Sequence, residues 1–197
     1  MKKFFTLVIV SLLSAVAVQA QKVVINKTDG SKVTFRADEI QSVQFAPASS
    51  VADQFVGSYK GTDKISVAIF SYSTEEEVTY QITDNEDGTI NLIVPAVTYK
   101  NTMMGNLYLG TYTIPNIPYD ATKKAFVKAY KDDNIKFRFK VIDESGNVTK
   151  DKEYTFDKDV CKVTITKEAD GKLKISNNYQ MGVMPMTIYG TFVGAKQ

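Results

Sequence analysis

Along much of this chain apolar and polar residues alternate one by one, and tight-turn dipeptides interrupt the alternation at intervals. The clearest run is "NIKFRFKVI" at 134–142, in which Ile135, Phe137, Phe139 and Val141 share one parity while Lys136, Arg138 and Lys140 share the other. Successive side chains of a strand point to opposite faces, so a period of two marks a strand with one dry face and one wet face. The same period runs through Val78, Tyr80 and Ile82; Ile90, Leu92 and Val94; Cys161, Val163 and Ile165; and Leu173 and Ile175. Three Asp-Gly pairs, Asp29-Gly30, Asp87-Gly88 and Asp170-Gly171, stand between such runs. Glycine tolerates the positive φ of tight hairpin turns, so each pair predicts a hairpin. "DESGN" at 143–147 predicts a fourth turn, leading into a strand that contains Tyr154 and Phe156.

From 55 to 192 this pattern predicts about 8 to 10 short strands joined by local turns, an all-β antiparallel meander. Closing such a meander into a barrel removes its exposed edges. One stretch, "DATKKAFVKAYKDD", reads equally well in two ways. Asp120 would cap a helix in which Ala125, Phe126, Ala129 and Tyr130 recur at helical spacing, whereas Phe126, Lys128 and Tyr130 would alternate in a strand. Upstream, 21–46 reads as a small N-terminal hairpin followed by a second apolar pair, Val43 and Phe45. Residues 47–53, rich in Ala, Ser and Pro, read as a linker, and 54–197 as the barrel domain.

The start of the chain, "MKKFFTLVIVSLLSAVAVQAQ", has the order of a cleavable export signal over 1–20: two lysines, an apolar run, then small residues. Its removal would leave 22 basic and 22 acidic residues from the 24 and 22 of the whole chain. A balanced chain with only Arg36 and Arg138 as arginines lacks the basic stripe that nucleic acid requires. No cysteine lies near the expected cleavage point to carry a lipid, so no membrane anchor is expected, and the protein is placed in the periplasm or outside the cell as a monomer.

The chain has no histidine, which removes Ser-His-Asp and Cys-His catalysis and imidazole metal sites. Cys161, the single cysteine, lies on the apolar parity of its strand and reads as a small buried hydrophobe. Glu75, Glu76 and Glu77 are consecutive, so they point in alternating directions and read as a solvated strand end. The closing stretch "MGVMPMTIYGTF" crowds three methionines into six residues. Soft thioethers select Cu(I), but without a second ligand type nearby they read better as core filling, with Met184, Met186, Ile188, Gly190 and Phe192 on one face of a last strand. No metal, cofactor or enzymatic activity is expected.

"FVGSYKGT" at 55–62 resembles the opening strand of lipocalin-like barrels, in which a glycine, a spacer and an aromatic residue begin the wall; here these are Gly57, Ser58 and Tyr59. With the hairpin-rich body and the Met-Pro-containing last strand, 52–197 resembles the calycin-like β-barrel domains exported by Gram-negative bacteria, and 22–45 the short segment that often precedes them. Lipocalins typically carry tryptophan where this chain has Tyr59, with an arginine packed over it; this chain has no tryptophan and no arginine after Arg138. The resemblance implies a calycin-type barrel and says little about activity.

Two roles follow as expectations. The first is a binding module that holds a small apolar or amphipathic ligand in the barrel interior or mouth, lined by Tyr59, Phe137, Phe139, Met184 and Met186, with 114–133 as a lid. About eight strands leave room either for side chains alone or for one small ligand, so a filled core is the competing expectation. The alternative role is a protein-interaction module, a surface component or an inhibitor of a secreted enzyme, acting through barrel-end loops with Tyr99, Tyr108, Tyr112 and Tyr119 exposed.

Overall fold

The computed structural model describes residues 22–27, 30–41 and 50–197. The chain divides into two compact units after residue 47. The first contains the expected hairpin, β1 (Lys22–Asn26) and β2 (Lys32–Arg36), paired in antiparallel register from Lys22 opposite Arg36 to Asn26 opposite Lys32. Gly30 sits in its turn at φ +82°. The expected signal segment, Asp29 and the pair Val43 and Phe45 lie outside the described residues.

The second unit contains thirteen strands among the described residues: β3 (Gly57–Val67), β4 (Phe70–Ser73), β5 (Val78–Asp84), β6 (Thr89–Val94), β7 (Val97–Thr102), β8 (Gly105–Leu109), β9 (Tyr112–Asp120), β10 (Ala125–Ala129), β11 (Lys136–Ile142), β12 (Val148–Thr155), β13 (Lys162–Lys167), β14 (Leu173–Tyr179) and β15 (Ile188–Lys196). Eight of them, in the order β3-β5-β6-β9-β10-β13-β14-β15, form an antiparallel barrel that closes where β15 pairs back onto β3. The strand count expected of the barrel is met, while the other five strands are excursions from it. β4 folds back on the second half of β3, and the hairpins β7-β8 and β11-β12 join through β8 and β11 into a four-stranded sheet that the alternation alone does not announce.

The connectivity makes the two barrel ends different. At one end the connections β5-β6, β9-β10 and β13-β14 are tight polar turns around Asp87-Gly88, 121–124 and Asp170-Gly171. All the excursions leave from the other end, together with the 180–187 loop between β14 and β15. The tight-turn end is packed by residues that the sequence reading gave to the linker and the strand start. Ala52 and Phe55 are buried, and the Phe55 ring meets Phe126 edge-on at 5.1 Å. The barrel unit therefore begins before residue 54.

The alternating residues behave as their period requires. Ile90, Leu92, Cys161, Val163, Ile165 and Leu173 are fully enclosed, and Phe137 and Phe139 nearly so. Burying a side chain of this size contributes about 1.5–3 kcal/mol, so the inward parity supplies the stability of a chain whose one cysteine is free. The ambiguous stretch at 120–131 is strand: β10 pairs with β13, Phe126 opposite Ile165, and continues to a fully buried Tyr130. Pairing on both edges outweighs helical spacing here. Asp120 still acts as a cap, accepting from the backbone N–H of Thr122 and of Lys123 at 3.0 Å each, but what it caps is the β9-β10 turn. The region 114–133 is accordingly wall and not lid. Pro118 pairs opposite Thr89 beside a register shift in β6, where a missing N–H is tolerated.

Closure of the barrel depends on two facing glycines. Gly61 of β3 pairs with Gly194 of β15, and a Cβ on Gly61 would lie 2.0 Å from the Val193 carbonyl oxygen. Backbone cannot yield as a flexible side chain can. Gly61→Ala is expected to cost at least about 2–3 kcal/mol in urea denaturation, whereas Gly88→Ala, with open space around its Cβ but φ at +86°, should cost only about 1 kcal/mol. Equal costs would mean that the seam is not the tight point.

Candidate functional site

The open end encloses a cavity of about 580 Å³, within the range of small-molecule sites. Ile65 and Val67 of β3 and Ile188 of β15 line it from the barrel, Phe70 and Tyr72 from β4, and Leu107, Phe139 and Tyr154 from the four-stranded sheet. Met103, Met104, Met181, Met184 and Met186 complete it, which brings five of the chain's six methionines to one place. Unbranched, polarizable thioethers adapt to ligands of uncertain shape. Lys150 is the one charged residue of the lining, its Nζ 5.6 Å from the Phe139 ring centroid and 5.8 Å from that of Tyr154.

The 180–187 loop is held against this cavity by local bonds. The Met184 N–H donates to the Met181 carbonyl at 2.9 Å, and Gln180 Nε2 donates to the Met184 carbonyl. Gly182, at φ +51°, lets the Tyr154 ring approach to where a Cβ would lie 2.7 Å from Cε1. This loop corrects the sequence reading of the last strand: β15 begins at Ile188, so Met184 and Met186 belong to the loop and not to an alternating face.

Below the cavity the barrel is filled by a polar cluster. Asp63, on the inward parity of β3, accepts hydrogen bonds from the Tyr80 hydroxyl and, at 2.9 Å, from the Tyr99 hydroxyl. Next to it Tyr130 donates to Asn177 Oδ1 at 2.6 Å, and Asn177 Nδ2 donates to the Tyr112 hydroxyl at 2.7 Å. Burial pushes the Asp63 carboxyl up to about 6, against the opposing pull of its tyrosine and backbone hydrogen bonds. Burial first, and then the charge of Asp63, raises the Tyr80 and Tyr99 hydroxyls well above the ordinary tyrosine range. Among the described residues no buried side-chain nitrogen or oxygen lacks a partner. The space left beside the cluster is about 20 Å³, enough for about one water. Ile65 borders both spaces.

Of the residues expected to contact a ligand, Phe139, Met184 and Met186 line the cavity. Tyr59 and Phe137 do not. Tyr59 is fully buried and donates its hydroxyl to the Phe55 carbonyl at 2.8 Å, while Phe137 stacks on Phe156 at 4.4 Å. Tyr99 and Tyr112, expected at an exposed protein interface, are buried in the polar cluster; Tyr108 and Tyr119 are half-buried. The sequence reading missed Met103, Met104, Phe70, Tyr72, Tyr154 and Lys150. The adjacent Met103-Met104 pair, in a strand-to-strand turn where polar residues are the rule, is the signal that would have found the site. The thiol of Cys161 is enclosed and pushed up by burial, which fits an inert hydrophobe.

The calycin-like beta-barrel domain model matches residues 55–195, nearly the whole of the second unit. The chain belongs to the calycin-like β-barrel family. A crystal structure of a Bacteroides fragilis protein named "putative outer membrane protein" shares 18% identity, covering 74% of this chain and 52% of its own, with a TM-score of 0.46. The chain thus spans about half the length of that protein. No curated protein matches it.

Because Asp63 holds its proton more tightly folded, near 6, than at its ordinary 3.8, its contribution is fully present below about pH 4 and lost as pH rises through 6. The shift corresponds to about 3 kcal/mol. Comparing Asp63→Asn with the wild type by urea denaturation at pH 4 and pH 7 isolates this contribution, since the other carboxylates are common to both. The variant is expected to gain on the wild type by up to about 3 kcal/mol at the higher pH. A pH-independent difference would show that Asp63 does not titrate in that window.

Proposed function

We propose that this calycin-like protein is an exported, non-enzymatic barrel that binds one small apolar or amphipathic molecule in the cavity at its open end. The observation that carries the reading is the contrast between the barrel centre, filled by side chains and satisfied hydrogen bonds, and the end, where about 580 Å³ lies open among apolar walls. The polar groups deep in the barrel are bonded to one another, so a ligand's apolar part enters among the methionines and any polar head stays at the mouth. Export rests on the signal-like order of 1–20. The non-catalytic half rests on the absence of histidine from the chain, the enclosure of Cys161 and the engagement of Asp63 by two tyrosines.

The test uses an uncharged solvatochromic dye, whose emission reports transfer into an apolar site. Met184→Glu places a charge in the lining and is expected to weaken dye binding at least about tenfold, by desolvation of the carboxylate, with a thermal midpoint close to that of the wild type because the residue lies on a half-buried loop. Tyr59→Phe is the converse control. It removes the bond to the Phe55 carbonyl, costs about 1 kcal/mol of stability and leaves dye affinity unchanged. Dye affinity indifferent to Met184→Glu would sink the reading.

A further inference from the structure

The turns at the two barrel ends differ in their apolar content. At the closed end they carry Glu86, Asp87, Lys123, Lys124 and Asp170. At the open end three tips carry large apolar side chains at their apexes: Ile69 between β3 and β4 is 89% exposed, Met103 between β7 and β8 is 74% exposed, and Val183 in the β14-β15 loop is wholly exposed, while the β11-β12 turn at 143–147, beside the Met103 tip, is polar and carries Asp143 and Glu144. Ala68, Phe70, Met103, Met104 and Val183 all line the one cavity, so the tips ring a single opening. Scattered exposed hydrophobics are ordinary, but a ring of them at turn apexes, where polar residues are the rule, marks a contact surface.

The charges beside the opening are sorted by strand parity. Lys150 and Lys152 share the face of β12 that carries Tyr154, with the Lys152 Nζ 5.2 Å from that ring. Asp151 and Glu153 take the other face, where Asp151 pairs with Arg138 and Glu153 with Lys136. No carboxylate belongs to the cavity lining, and among the described residues neither lysine has an ion-pair partner. We propose that the open end docks on an anionic lipid surface, with the three apolar tips entering the headgroup zone and Lys150 and Lys152 facing the phosphates. Separate apexes around a mouth offer a protein little continuous area, whereas each can enter a lipid interface by itself. This goes beyond ligand binding and does not require the cavity to be occupied.

The chain has no tryptophan, so one introduced at a tip is an unambiguous reporter. The full chain with Ile69→Trp is mixed with vesicles of phosphatidylglycerol and phosphatidylcholine, with or without brominated lipid, and compared with Thr122→Trp at the opposite end. The expected result is a blue shift and bromine quenching for Ile69→Trp alone. In that background Lys150→Gln with Lys152→Gln should raise the lipid concentration for half-saturation about ten- to thirtyfold, and added salt should act in the same direction. Unchanged emission from Ile69→Trp overturns the proposal and leaves the rim to a protein partner. Equal responses at both ends overturn it by placing the attachment elsewhere in the chain, and insensitivity to the lysine substitutions overturns the anionic requirement. Dye binding without vesicles reads the ligand site separately, so either reading can fail while the other holds.

Discussion

The pairing of β15 with β3 is the contact on which the rest of this structure depends. It runs over nine residue pairs, from Ile188 opposite Val67 to Lys196 opposite Tyr59, and turns an open meander into a cylinder. Without it both strands would present free edges, and the inward parity of every other strand would face a gap. Its tightest point is the Gly61 and Gly194 pair, where a side chain would meet backbone. The opening motif of the barrel thus owes Gly61 to the seam, while its Tyr59 anchors the segment before β3 through the Phe55 carbonyl.

Closure also decides where a ligand can and cannot go. Eight strands enclose a narrow interior, and here it is occupied by Asp63, Asn177 and four tyrosines that satisfy one another. A buried carboxylate with too few partners would be costly, so the cluster holds together only as a set. Space for a ligand therefore comes from strands that leave the barrel. β7-β8 and β11-β12 extend the wall beyond the barrel end, and the 180–187 loop faces them across the opening through Tyr154 and Gly182.

Legibility in the sequence followed the range of the interaction. Alternation and Asp-Gly turns are local, and they marked the faces of β5, β6, β11, β13 and β14 and both Asp-Gly turns of the barrel that join them. The strand at 125–129 was ambiguous because its choice rests on pairing with β13, some 35 residues away, which no local period encodes. Tyr99 and Tyr112 looked like surface residues because tyrosine suits either setting, and only the position of Asp63 and Asn177 opposite them decides it. The cavity was partly legible through Phe139, Met184 and Met186. Much of its remaining wall comes from β4, β8 and β12, and the four-stranded sheet that holds the latter two depends on β8 meeting β11.

Where local rules and the observed residues disagree, the disagreement is one-sided. Asp87-Gly88 and Asp170-Gly171 are what hairpin turns require, and they sit at the closed end. The open end, its polar 143–147 turn apart, places Ile69, Met103 and Val183 at its tips, residues that gain nothing from exposure to water and raise the hazard of association. Ala68 even holds φ at +52° beside the exposed Ile69, a conformation that costs an alanine about 1 kcal/mol relative to glycine. Foldability alone would favour the polar turns used at the other end, since local and global preferences would then agree. Apolar apexes on one rim, beside Lys150 and Lys152, which have no ion-pair partner among the described residues, are what local turn preferences leave unaccounted for.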